Sequence, residues 1–218
     1  VDEKFKQRKV FNQFQFVFDY MDTSAITGKS YLPVMITETL SDYYYRKNPK
    51  TEKEFIKATR ISGIENESIS QFTGTLYQNV NIYDNFIPVM GKGFVSPIAG
   101  FGLLYYKYYL IDSAFIDNKW CYQISFKPKR KQEPTFTGDI WIHDTTFAVK
   151  KGLIRIAEDA NINFINDMVV THEYNFVNEE AWFLTKEEVF IDFNLDDQQM
   201  GFFGRKTSSY KDIVFNVE

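Results

Sequence analysis

The run "WCYQISF" changes character at every step: Trp120, Tyr122, Ile124 and Phe126 fall on one face, Cys121, Gln123 and Ser125 on the other. That period of two is the signature of a β-strand with one face buried. Comparable runs recur at "FQFVFDY", "YLPVMITE", "TFTGDIWIHD", "FAVKKGLIRIA", "INDMVVTHEYNFV", "WFLTKEEVFIDFNL" and "SSYKDIVFNV". Between them lie short stretches with turn chemistry: Asp117 and Asn118, "KRKQEP", Asp144 to Thr146, and Asn178 to Glu180. From about residue 103 onward this predicts one up-and-down antiparallel sheet.

Helical spacing is concentrated in one place. In "SGIENESISQFTGTLYQNV" the residues Ile64, Ile69, Phe72, Leu76 and Val80 recur at roughly helical intervals after a Ser-Gly break. A second, shorter helix is expected at "SPIAGFG", with Ser96 as cap and Pro97 in the first turn. The predicted fold class is therefore α+β, mostly β: a large curved antiparallel meander sheet, a half-barrel, packed on one or two helices.

With 218 residues, no fixed-period repeat and no Gly/Ser linker, one β-rich domain spanning residues 1–218 is the expectation. The best internal candidate for a boundary is "MGKGF", around Gly91 to Gly93. Aromatic residues make up 18% of the chain, too much apolar surface for a disordered segment. The opening "VDEKFKQRKV" has neither a start Met nor a signal-peptide pattern, which predicts excision from a longer chain.

A net charge of −4 argues against a dedicated nucleic-acid binder, since phosphate contacts need a concentrated excess of Lys and Arg. The one basic run, "KPKRKQ" at Lys127 to Gln132, reads as a solvated hairpin tip. Cys121 is the only cysteine, so no internal disulfide is possible, and its strand context reads as a buried, inert thiol.

Groups that could converge for catalysis are few. His143 and His172 are the only histidines and neither has metal-ligand spacing, so no metal and no cofactor is expected. The carboxylate pairs Asp139 and Asp144, Glu187 and Glu188, and Asp196 and Asp197 read as solvated strand faces and turns. "DDQQMGFFG" and "DANINFIND" are oxygen-rich but lack the alternating ligands of a calcium loop. Neither GxSxG nor a P-loop is present. The chain is expected not to be an enzyme; one would require His143, Asp144 and His172 to meet in a cleft.

The stretch "GFGLLYYKYYLID" sets four tyrosines around Lys107. As a strand, both of its faces are apolar or aromatic, which predicts packing on both sides, one of them towards a helix. If part of the sheet is left open as a cavity, its ligand-binding residues are expected to be Tyr105, Tyr106, Tyr108, Tyr109, Trp120 and Trp141.

Long runs, including "MDTSAITGKSYLPVMITETLSDYYYRKNPK", "EFIKATRISGI", "YQNVNIYDNFIPVMGKGFVSPIAGFGLLYYKYYLIDSAFIDNKWCYQISFKPKRKQEPTFTGDIWIHDTTFAVKK" and "DANINFINDMVV", carry a resemblance. The chain resembles the central domain of unknown function in bacteroidal outer-membrane proteins that have an upstream carboxypeptidase regulatory-like β-sandwich and a downstream barrel. The resemblance implies a periplasmic location, attached to the outer membrane in the full-length protein, with the flanking domains as partners. It implies no peptidase activity, because that name belongs to the absent sandwich. The strand order is also similar to the half-barrel of periplasmic lipoprotein carriers, most closely at "GDIWIHDTTFAVKK". The functional expectation is a non-catalytic periplasmic module that binds an apolar ligand, a lipid or a lipoprotein. Its alternative is a scaffold coupling the sandwich to the barrel.

Overall fold

The computed structural model describes residues 22–23, 30–31, 35–46, 48–63, 80–160, 162, 165–194 and 201–215. The chain divides into two compact units, Val1–Ile69 and Ser70–Glu218. In the first unit, β1 (Asp22–Thr23) pairs with β2 (Ser30–Tyr31), and β3 (Met35–Arg46) pairs antiparallel with β4 (Thr51–Gly63). The long β3–β4 hairpin carries exposed apolar side chains along most of its length, among them Leu40, Tyr44, Phe55 and Ile56. Within it Tyr44 and Phe55 meet edge to face at 5.7 Å.

The second unit opens with a small hairpin, β5 (Phe86–Val89) and β6 (Lys92–Val95). A seven-stranded sheet follows: β7 (Tyr106–Ile116), β8 (Lys119–Pro128), β9 (Phe136–His143), β10 (Val149–Ile156), β11 (Ile165–Val177), β12 (Ala181–Asn194) and β13 (Gly201–Ser209). Its spatial order follows the sequence order from β7 to β13, with every neighbouring pair antiparallel. This is the meander that the turn chemistry predicts. Asp117 and Asn118 both take positive φ (47° and 61°), as do Asn178 and Glu179 (53° and 57°), the left-handed pair that two-residue hairpin turns need.

The helical component of the expected fold class is wrong. Among the described residues there is no α-helix, only a 3-10 turn at Gly102–Leu104. At Ser96 the capping chemistry is present, since its hydroxyl accepts the Ile98 N–H at 3.3 Å, but no helix propagates. Gly100 and Gly102 lie inside the would-be helix and lower its propensity. Gly102 is also required for the close approach there, since a Cβ would sit 2.6 Å from the Tyr108 hydroxyl and 3.2 Å from the Pro97 carbonyl. Of the longer predicted helix, Ser62 and Gly63 end strand β4, and residues 64–79 lie outside the described residues, as does "FQFVFDY".

What covers the sheet is the β5–β6 hairpin and its flanks. Val80, Ile82, Ile87, Val89, Phe94 and Val95 form one buried cluster with side chains of the sheet, including Phe126, Phe136, Ile140, Ile154, Val170, Ile191 and Phe193. "MGKGF" is thus a hairpin turn and not a boundary, with Met90 and Gly91 at φ 47° and 78°. Ser96 locks the segment down by donating its hydroxyl to the Ile82 carbonyl at 2.5 Å.

One end of the sheet is strongly rolled. Strands three apart in a flat sheet are separated by about 14 Å. Yet His143 of β9 meets Trp182 of β12 at 5.2 Å between ring centroids, and the Lys119 ammonium of β8 lies 5.6 Å from the Phe176 ring of β11.

Candidate functional site

The tyrosine stretch separates into an inward and an outward set. Tyr106 is completely buried. Its hydroxyl donates to the Val95 carbonyl and accepts the Phe136 N–H at 3.0 Å, so one phenol oxygen satisfies backbone groups of both β6 and β9. Burial pushes its pKa well up, which keeps the phenol neutral. Tyr108, on the same face, is half-buried and donates to the Pro97 carbonyl at 2.6 Å. Both rings therefore hold the chain's own β6 and the loop after it.

The remaining predicted site residues stand apart from this pair. Tyr105 ends the 3-10 turn, half-buried against Phe101 and beneath the Arg130 guanidinium at 5.8 Å. Tyr109 is exposed, with the Lys127 ammonium 5.0 Å from its ring. Trp120 packs edge to face on Phe115 at 4.8 Å, near the other end of the β7–β8 pair. Trp141 lies under Lys151 at 5.6 Å on the β9–β10 pair. The six residues are thus distributed over separate contacts.

The expectation that both faces of β7 are covered fails as well. Among the described strands β7 is an edge strand, and around and beyond the irregularity between Leu110 and Asp112 it leaves Leu110, Ile111 and Phe115 exposed, with exposed Tyr122 on β8. Cover is confined to the Tyr106 and Tyr108 face, because only there does the β5–β6 segment pack.

Two polar clusters with buried members lie among the described residues of the sheet. In the first, His172 and Glu187 face each other across β11 and β12, with Nε2 to Oε1 at 3.4 Å, and Lys206 of β13 reaches Glu187 Oε2 at 3.1 Å. His172 is fully buried and Glu187 only 2% exposed. Burial pushes the Glu187 carboxyl up, but the His172 hydrogen bond and the Lys206 ammonium outweigh it and hold the group below its ordinary range. Nδ1 of His172 has no hydrogen-bond partner among the described residues.

The second cluster is at the rolled end. Lys150 is 3% exposed, and its ammonium donates to the Tyr174 carbonyl at 3.0 Å and to Asn175 Oδ1 at 2.5 Å, and pairs with Asp117 at 2.8 Å. It staples the β7–β8 turn to strands β10 and β11. Nearby, His143 Nδ1 contacts the Thr146 hydroxyl at 2.9 Å and its Nε2 lies 3.6 Å from Asp144. Cys121 is buried opposite His143, and burial pushes its thiol up, the reverse of an activated nucleophile. His143 and His172 thus belong to separate clusters. The His172–Glu187–Lys206 and Lys150 contacts were not legible from spacing, because strands distant in sequence bring their members together, whereas Asp144 and Thr146 are sequence neighbours of His143.

Among the described residues no group of three or more His, Cys, Asp and Glu side chains is arranged to hold a metal ion. No curated protein and no solved structure matches the chain. The match that does exist covers nearly all of it: over residues 8–213 the chain belongs to the family of unknown function DUF5686.

Proposed function

We propose that this chain is a non-catalytic interaction module that acts in the periplasm as part of an outer-membrane protein, coupling neighbouring domains or a protein partner. The observation that carries the reading is the free half of edge strand β7. Leu110, Ile111 and Phe115 are each more than half exposed, beside Tyr122. Among the described residues β7 has no partner on its outer side, and a strand edge with a run of apolar side chains is a template for strand addition or protein contact. The periplasmic and outer-membrane parts rest on the resemblance of the long runs described above. This reading ranks above an acyl chain held within the sheet because Ile82, Ile87 and Phe94 of the chain itself pack against the core face.

The test is a photo-crosslinking residue at Phe115 in the full-length protein in its native cell, compared with one at exposed Glu158. Discrete protein adducts at Phe115 and none at Glu158 are expected. Equal labelling at both positions would remove the reading. Recovery of a stoichiometric acyl chain from the purified protein by native mass spectrometry would replace it with the ligand-binding one.

A further inference from the structure

At the end of the β7–β8 pair away from Phe115, two surface features meet. The first is the 3-10 turn, whose Leu103 and Leu104 are 71% and 65% exposed. These leucines are held out on an ordered support. Gly102 N–H bonds to the Ala99 carbonyl at 2.7 Å, Leu104 N–H to Phe101 at 2.9 Å and Tyr105 N–H to Gly102 at 2.9 Å, while Phe101 packs against the core.

The second feature is the basic run. The Lys129 N–H donates to the Tyr105 carbonyl at 2.7 Å, and its ammonium donates to the Leu103 carbonyl at 2.6 Å. The turn and the loop are therefore pinned together. Lys107 and Lys127 sit directly opposite each other in the β7–β8 register, a like-charge pair that costs stability unless an anion relieves it. Lys107, Lys127, Lys129, Arg130 and Lys131 are all exposed. Glu133 is the carboxylate among them, and it pairs with Arg130 at 2.8 Å. Among the described residues, Lys107, Lys127 and Lys131 form no ion pair with a carboxylate. In a chain of net charge −4 this concentrates positive charge around two projecting leucines.

We propose that the Leu103–Leu104 turn and the Lys127–Lys131 loop form one docking tip for a lipid surface bearing anionic headgroups. The two leucines enter the acyl boundary, the five cations meet headgroup phosphates, and Tyr105 and Tyr109 lie at the level between them. Charge complementarity selects an anionic surface. The aliphatic character of the projecting pair selects hydrocarbon over nucleic-acid bases, since Tyr105 and Tyr109 lie beneath Arg130 and Lys127. The tip does not use Leu110, Ile111 or Phe115, the residues that carry the interaction reading given above, and goes beyond that reading.

The experiment is co-sedimentation of the chain with vesicles of phosphatidylcholine alone and of an equal mixture with phosphatidylglycerol. Binding only to the anionic vesicles is expected, weakening as salt is raised. Each neutralised cation is expected to cost about fivefold in partitioning, so K107S/K127S loses about 25-fold. L103S/L104S should lose at least about tenfold through lost apolar burial. Both variants alter exposed side chains, and unchanged circular dichroism with a Tm no lower than that of the unsubstituted chain serves as the folding control. If a variant fails that control, the salt titration of the unsubstituted chain still decides. Binding to neutral and anionic vesicles alike, absence of binding to either, indifference to both variants, or preference for a single-stranded oligonucleotide or an acidic peptide over vesicles would overturn the proposal.

Discussion

Tyr106 shows how one side chain can set the position of two elements. Its ring packs edge to face on Phe126 at 5.6 Å, and its hydroxyl serves both the Val95 carbonyl and the Phe136 N–H. Tyr106→Phe keeps the ring and strands two buried backbone groups, with an expected cost of about 1–3 kcal/mol. Tyr108→Phe removes one bond from a half-buried hydroxyl and is expected to cost less, about 0.5–1 kcal/mol. Urea unfolding of the two variants measures the difference, and equal losses would show that the bridging role is unimportant. Glu187 gives a pH signature on the same scale. Its folded-state pKa is depressed, so its contribution is present above the ordinary glutamate range and is lost as pH falls through that range towards the folded value. Stability should therefore drop on acidification from about pH 7 to about pH 3, and Glu187→Gln should flatten that slope. The substitution also breaks a buried pair, at a cost of about 3 kcal/mol near neutrality. A slope unchanged in the variant would assign the acid sensitivity to other carboxylates.

At the scale of elements, Gly138 is the position in β9 that admits no other residue. Its φ is +152°, and a Cβ there would lie 2.0 Å from the Leu153 carbonyl on β10. Gly138→Ala must move one strand off the other, so a loss above about 2 kcal/mol, or failure to accumulate folded protein, is expected from unfolding curves. A near-neutral result would mean the strands slide apart freely. Nothing in "FTGDIW" announces this constraint, because the obstruction comes from the neighbouring strand. What was legible follows the same division between local and non-local causes. The strands β8 to β12 declare themselves by period-two alternation, and the turns at Asp117–Asn118 and Asn178–Glu180 by Asp and Asn chemistry, both properties of adjacent residues. The helix expected at Ser96 fails because Gly100 and Gly102 lower its propensity despite one good cap. β13 is displaced: the apolar run "SSYKDIVFNV" contributes only Ser208 and Ser209, whereas Gly201–Ser209, with its polar mixture, takes the edge by pairing with β12. An edge strand needs one partner and little burial, so its alternation is weak. The site residues suffered most, since periodicity can tell that Tyr106 and Tyr109 point to opposite faces but not that the β5–β6 segment covers just one of them.

On the scale of the molecule, the second unit has what it needs to fold by itself. Among the described residues, every member of its buried cluster, from Val80 to Phe193, comes from within Ser70–Glu218. The β3–β4 hairpin has the opposite character, with most of its side chains exposed, and two strands alone are marginal in water. Residues 70–218 produced without the first unit are therefore expected to unfold in one cooperative transition, with a free energy within about 1 kcal/mol of that shown by the same unit in the whole chain. Residues 22–63 alone should give the circular dichroism of an unfolded chain. If residues 70–218 instead aggregate or melt without cooperativity, the buried cluster depends on the preceding unit.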